Sequence, residues 1–328
     1  MFLVMPFHFK RKEAVQKAVR RLCRERIVDA LGALKKPDTF EAVHDIRKEI
    51  KKARAILRLV RTEIGNHFYK KCDRLLREAA DCLTAARDAD VKLSAFEMLT
   101  KHFNGKLSAR PFPKIKKLVR DNCRDEARRF LKSDSIAKAK RILQKAKRKA
   151  GDLKMKSVGW RAIAPGLKKS FSSGREAYET ALKDSTPKNF HEWRKRVKDL
   201  GFQIRLICPV WPKELRAVSD ELEGLGELLG DDHDLAMLKE FIAEKFKRAG
   251  DVDDLNRLIR ARQKELRSAA LKLGVKFFAE APETFCRRFG NHWKIWRNEA
   301  GRLSSCHDDN YTTRTKKRLI RRADLTHV

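Results

Sequence analysis

The 328-residue chain is poor in the residues that interrupt helices. Its 15 glycines and 9 prolines together make about 7%, against a usual ~12%, and alternating Val/Ile/Thr runs are scarce. That excludes a turn-rich β architecture and leaves an all-α fold. The seven cysteines, at positions 23, 72, 82, 123, 208, 286 and 306, form no CxxC pair and are odd in number. A disulfide framework is therefore not expected, and they read as small core residues of a reducing compartment. No stretch approaches 18 apolar residues, so no helical membrane span is expected. The apolar run from Met1 to Phe9 precedes its basic residues (Lys10, Arg11, Lys12), the reverse of a secretory signal. A cytoplasmic location follows as the expectation.

Acidic residues are also in short supply. Asp plus Glu number 44 against 78 Lys plus Arg, a formal charge of +34. Such an excess favours polyanions through counterion release and steering: nucleic acid, acidic surfaces or polymeric phosphate. It says little about fold. A chain of this length can bury roughly 75% of its unfolded surface, as one large domain or two of ordinary size.

What is abundant is organised. A basic helix occurs twice, as Val43-His44-Asp45-Ile46-Arg47-Lys48-Glu49-Ile50-Lys51-Lys52-Ala53-Arg54 and as Phe190-His191-Glu192-Trp193-Arg194-Lys195-Arg196-Val197-Lys198-Asp199-Leu200-Gly201. At 100° per residue, His44, Arg47, Lys48, Lys51 and Arg58 fall within about 50° of one direction. His191, Arg194, Lys195, Lys198 and Arg205 match them. The opposite stripes are apolar: Val43, Ile46, Ile50, Ala53 and Leu57 in one copy, Phe190, Trp193, Val197, Leu200 and Ile204 in the other. A charged face opposite an apolar stripe is most often only solvated. Here, however, the matched positions carry His, Lys and Arg alone, although like charges at i,i+4 repel by roughly 0.2–0.5 kcal/mol per pair. Two such rows, each led by a histidine, point to an anion lying on them. Beside Arg47 and Lys48, His44 should lose its proton more readily than a free imidazole.

The periodicity predicts helices over 12–34, 39–63, 68–83, 91–102, 114–132 and 135–149, then 167–183, the second basic helix ending at Cys208-Pro209, 212–229, 235–249, 253–273 and 283–298. Thr39 or Asp38 would cap the first basic helix, and Ser185-Thr186-Pro187 the second. The segments 85–91 and 230–235 read as corresponding connections, and 105–113 as a loop. The expected division is an N-terminal bundle half (1–157), a C-terminal half (158–300) and a basic, poorly ordered tail (301–328).

The pattern resembles the CHAD family, the conserved-histidine α-helical domains, over roughly residues 10 to 298. The two His-x-x-Arg-basic helices at His44 and His191 carry the resemblance. Arg87-Asp88-Ala89-Asp90-Val91 is similar to the family's Arg-Asp-x-Asp-Val segment, and Leu229-Gly230 with Asp234-Leu235-Ala236 to its second-half counterpart. The resemblance implies two antiparallel helical bundles related by pseudo-twofold duplication. It further implies a positive groove or pore lined by the basic helices and a non-catalytic role binding inorganic polyphosphate, in association with polyphosphate granules. The implied binding residues are His44, Arg47, Lys48, Lys51, His191, Arg194, Lys195 and Lys198; Lys52, Arg54, Arg58 and Arg205 extend the rows. Two departures stand out. Gly201 occupies the position of Arg54 in the first copy, which predicts a weaker grip in the second half, and Leu83-Thr84 replaces Leu-Gly.

Chemistry favours the same ligand. Polyphosphate offers evenly spaced anionic oxygens and no bases, and suits Arg forks and Lys point charges set in a line. Single-strand binders interleave aromatics for stacking, yet only Phe202 lies on a basic face, where Ala55 sits in the other copy. RNA or DNA held by phosphates alone is the second reading. A third, an HD-type metal phosphohydrolase, would align His8, His44-Asp45 and Asp88, but Glu192 replaces the Asp in the second copy. Asp231, Asp232, His233 and Asp234 could ligate a divalent ion, though pairing with cations and capping is the commoner use of such a cluster. No P-loop or nucleophile elbow is present, and neither a catalytic residue, a cofactor nor a membrane partner is expected.

Overall fold

The apolar stripes specify where each helix turns its back. In a computed structural model, residues 7–34, 40–103, 112–245 and 250–306 are described, and every regular element among them is a helix. In chain order these are α1 (Val15–Ala33), α2 (Phe40–Leu59), α3 (Arg61–Ile64), α4 (Asn66–Asp81), α5 (Thr84–His102), α6 (Pro113–Lys132), α7 (Ser135–Gly151), α8 (Ala164–Lys183), α9 (Pro187–Ile207), α10 (Pro212–Lys245), α11 (Gly250–Phe277) and α12 (Pro282–Cys306). The ten stripe residues of α2 and α9 are all at most 2% exposed. Burying a Val, Leu, Ile or Phe side chain contributes about 1.5–3 kcal/mol each, so these stripes fix the rotation of both helices and with it the direction of the cations behind them.

Local signals set the ends. Thr186 caps α9, its Oγ1 accepting the Asn189 N–H at 3.3 Å, with Pro187 in the first turn. The proposed caps Asp38 and Thr39, most of the 105–113 loop and residues 307–328 of the tail lie outside the described residues. Residues 301–306 continue the backbone of α12.

Three helices differ from the periodicity. The basic α2 ends at Leu59, and a separate turn, α3, precedes Gly65. The segment 85–91 is not a connection but the opening of α5. The segment 230–235 lies inside the 34-residue α10. A glycine in a helix costs about 1 kcal/mol relative to Ala, too little to break α10 here. Leu229 and Leu235 are buried on either side, and Asp232 is fixed by Arg267 (Nε to Oδ1, 2.7 Å).

α1 packs on α2 and α7, and α4 packs on α2 and α7, so α2 and α7 are diagonal partners in a four-helix arrangement. α9 packs between α8 and α10, and α2 meets α9. The larger apolar cluster runs from Phe9 to Trp296. A smaller one joins α5 and α6 to α10 and α11 through residues such as Phe96, Ile115, Leu238 and Ile259. Arg26, 1% exposed, ties α1 to α2 through Glu49 at 2.9 Å.

Among the described glycines, the least room for a side chain is at Gly166 of α8. A Cβ there would stand 1.8 Å from the carbonyl oxygen of Leu59, a backbone atom that cannot swing aside. Gly166→Ala should therefore destabilise the protein by about 3 kcal/mol, the upper range of overpacking, read as a lowered urea midpoint. Gly32→Ala, where a Cβ meets nothing within 4 Å, should leave the midpoint unchanged or raise it. Equal midpoints for the two variants would contradict this account of the α2–α8 contact.

Candidate functional site

α2 and α9 are joined by a buried hydrogen bond and an ion pair. The fully buried Gln203 of α9 donates from Nε2 to the carbonyl of Ala55 in α2 at 3.2 Å, and Arg58 of α2 forms an ion pair with Asp199 of α9. Beside this contact the two cation rows open onto one cleft, also walled by α5 and α10, with about 270 Å³ open to water. Seven of the twelve residues expected at the site line it: His44, Arg47, Lys48 and Lys51 from α2, and Arg194, Lys198 and Arg205 from α9.

The other five do not line the cleft. Lys52 turns to Glu49 (2.5 Å) and lies 5.5 Å from the Phe7 ring centroid. Arg54 pairs with Asp73 at 2.7 Å, so Gly201 removes no cleft cation, contrary to the argument for a weaker second half. Arg58 is held by Asp199. Lys195 folds back on Glu192 of its own helix. His191 lies against His233, ring centroids 4.1 Å apart and planes tilted by 39°. An angular projection cannot anticipate these partners, because the acids come from neighbouring turns and helices.

Three of the cleft cations, Arg47, Arg87 and Arg205, are held by hydrogen bonds or ion pairs, and Lys198 is guided by its packing. Arg47 donates from Nη1 to the Ala80 carbonyl (2.7 Å) and to Thr84 Oγ1 (3.0 Å). Ala80 is at the C-terminal end of α4, the negative end of the helix dipole, which favours a cation. Thr84, one of the departures from the family pattern, thus supplies a second anchor. The stem of Lys198 runs along α10 at Gly226, where a Cβ would come within 2.9 Å of its Cε; only glycine leaves that path free. Arg205 donates from Nη2 to Glu223 (2.6 Å) and from Nε to Ser219 Oγ (3.3 Å).

Sequence reasoning missed Arg87 as part of this site. It projects from α5 into the cleft, bound to Asp88 at 3.0 Å and to Asp234 of α10 at 3.5 Å. Its signal was the Arg-Asp-x-Asp-Val segment, and the same contact explains Asp234 as a partner for cations. Gly201, Phe202, Ser219 and Glu223 complete one end of the cleft. Phe202 packs edge-on against Phe7 (6.4 Å) and is 8% exposed, which leaves little ring face for a base.

Seven Lys and Arg residues therefore share the lining with two carboxylates, Glu223 and Asp234, each already engaged. The charge imbalance is visible in the titration of its members. Burial, then Arg194, Arg47, Arg87 and Lys198, push the Lys51 ammonium down to about 7. Burial and then Arg194 lower Lys198 as well. His44 is lowered, as expected, by burial first and then by Lys51, with Asp45 opposing. Burial and then Lys195 lower His191, and burial with His191 and Arg194 brings His233 to about 3. Both rings of this tilted pair are neutral at pH 7.

Chemically the cleft is an array of Arg forks and Lys ammoniums aimed into one recess, suited to a ligand with repeated anionic oxygens. Among the described residues no three His, Cys, Asp or Glu side chains assemble as metal ligands, so the alignment of His8, His44, Asp45 and Asp88 has no spatial counterpart. Among them also, no helix is long and apolar enough to cross a membrane.

The sequence pattern of the CHAD domain matches residues 13–243, within the 10–298 over which the resemblance was read. No curated protein matches the sequence. Among solved structures, the fold is similar to the CHAD domain from the plant Ricinus communis (TM-score 0.62, 17% identity, 85% of this chain and 97% of that one). It is also similar to PptA from Streptomyces chartreusis (TM-score 0.58, 14% identity, 81% of this chain and 99% of that one). With the matched segment spanning well over half its length and carrying both basic helices and the Arg87 segment, the chain belongs to the CHAD domain family.

Proposed function

We propose that this protein binds inorganic polyphosphate, without catalysis, in the cleft between α2 and α9. The observation that carries the reading is the surplus of Lys and Arg over carboxylates in one recess, where burial first and then the neighbouring cations bring Lys51 down to about 7. Such a site is incomplete without an anion. A linear polyphosphate fits because cations recur every three or four residues, about 5 Å per helical turn, and because the recess offers no open ring for stacking. Arg47, Arg87 and Arg194 supply planar forks; Lys48, Lys51 and Lys198 supply point charges. His44 lies at the edge of the row. Arg54 and Arg58 serve instead to join helices through Asp73 and Asp199, and Lys52 and Lys195 are engaged by acids of their own helices. The division into two halves (1–157 and 158–300) related by duplication, with a basic tail from 301, belongs to the same reading, as does a cytoplasmic place on polyphosphate granules.

The second reading, RNA or DNA in the same cleft, is separated by competition. Long-chain polyphosphate, tRNA and duplex DNA should all bind at low salt, and all should weaken as salt rises. At physiological salt polyphosphate should remain bound in the cleft, neither nucleic acid should displace it from there, and Arg47→Glu/Lys51→Glu should abolish its binding. Displacement of polyphosphate from the cleft by tRNA or DNA at physiological salt would replace the assignment.

The pH dependence has a definite sign. In the empty cleft Lys51 gives up its proton as pH rises through about 7, and a bound polyanion favours the protonated form. Binding should therefore take up a proton in neutral to mildly alkaline solution, and affinity should fall steadily from pH 6 to pH 9. His44 and His191, held below the usual imidazole value, add a further gain only at lower pH. Calorimetry in buffers of different ionisation enthalpy reads the proton directly; no uptake at pH 7.5, or a flat affinity from pH 6 to 9, would contradict the role given to Lys51.

A further inference from the structure

α7 is strongly basic and carries no compensating acid of its own. Its 17 residues contain Lys138, Lys140, Arg141, Lys145, Lys147, Arg148 and Lys149 and no acidic residue. Ala139, Leu143, Ala146 and Ala150 are buried against the rest of the bundle. On the other side, Lys138, Arg141, Lys145 and Arg148 are exposed and, at 100° per residue, fall within an arc of about 80°. Arg141 meets Asp134 at 2.9 Å in a pair that is itself exposed, and such pairs contribute little. Lys138, Lys145 and Arg148 have no carboxylate within ion-pair distance among the described residues. The stripe is about 15 Å long.

This stripe is not part of the cleft. α7 sits diagonally from α2, with α1 and α4 between them, so its outer face looks away from α9. Its shape differs as well. The cleft is a recess of about 270 Å³, far too narrow for a double helix, whereas α7 is a convex rod open on its outer side. The face carries no aromatic residue, so it has nothing on which to stack unpaired bases. The apolar residues of α7 are committed to the core, so it has no apolar face to sink into a lipid surface. What remains is a straight cationic ridge that can lie along a stiff, wide polyanion.

We propose that the outer face of α7 is a second binding surface, one that holds the phosphate backbone of double-stranded nucleic acid through Lys138, Arg141, Lys145 and Arg148. The contact is to phosphates and carries no sequence preference. It is independent of the cleft, so the protein can hold a ligand in the recess and a duplex on the ridge at once.

The test compares two variants of the full chain: Lys138→Gln/Arg141→Gln/Lys145→Gln/Arg148→Gln on α7, and Arg47→Gln/Lys51→Gln in the cleft. Glutamine is a good helix former, and circular dichroism with a urea midpoint verifies that each variant is folded. A labelled mixed-sequence DNA duplex of two helical turns is titrated over a range of salt concentrations, alongside long-chain polyphosphate and phosphatidylserine vesicles. The α7 variant should lose about tenfold or more in duplex affinity at physiological salt. Its log-affinity against log-salt slope should become shallower by about 3 to 4, close to one for each phosphate contact removed. Its polyphosphate affinity should not change. The cleft variant should keep the duplex and its salt slope. An unchanged slope in the α7 variant overturns the proposal, as does a duplex affinity that falls equally in the cleft variant. Loss of polyphosphate parallel to loss of duplex would make the ridge a general polyanion surface, and binding to vesicles but not to duplex would make it a membrane contact; either replaces the proposal. Failure of polyphosphate to bind the cleft would leave these duplex measurements unaffected.

Discussion

Mutual repulsion between cations that share one recess is the constraint around which this molecule is built. Left alone, Arg47, Lys51, Arg87, Arg194 and Lys198 would separate. They are kept together because each stands on a helix whose opposite side is locked in the core. The stripes of α2 and α9 are almost fully buried, and rotating either helix to spread its charges would expose several large apolar side chains at about 1.5–3 kcal/mol each. That exceeds the roughly 0.2–0.5 kcal/mol by which one like-charged pair repels on a helix surface. The core thus sustains an electrostatic arrangement that the cleft alone would not hold.

The basic residues divide into two populations by what faces them. Where α2 and α9 approach one another and α4, each arginine has an acid: Arg54 with Asp73 and Arg58 with Asp199. Lys52 and Lys195 are neutralised by acids on their own helices. Along the cleft, Arg47 is anchored by a carbonyl and a hydroxyl instead, which orient its guanidinium without cancelling its charge. Orientation without neutralisation is what an anion site requires. A residue's partner, more than its place in the row, decides to which population it belongs.

This division explains what could be read in advance. The buried stripes, the Thr186 cap and the all-helical class follow from periodicity and local hydrogen bonding, which are properties of short segments. Hence all ten stripe residues could be named from spacing alone. The fate of the cations could not, because Asp73 and Asp199 reach them across helix contacts that no spacing encodes. Arg87 entered the site for a similar reason: it lies on a third helix, and only the packing of α5 against α10 brings it beside Asp234. Gly230 was misread as a break because local propensity disfavours it, while Leu229, Asp232 and Leu235 hold the helix through it from outside.

The uninterrupted run of α10 has a mechanical consequence. The helix is about 50 Å long. Its first half is embedded in the larger apolar cluster through Leu215, Leu222 and Leu225, and its second half in the smaller one through Leu235, Leu238 and Ile242. Along the same helix Ser219, Glu223 and Asp234 line the cleft. A rod seated in both cores makes them one cooperative unit, since neither can loosen without freeing part of the other. A ligand that binds only the native cleft stabilises by mass action, and that stabilisation is distributed along the rod to helices that never touch the ligand. Occupancy of a small recess is in this way converted into rigidity of the whole molecule.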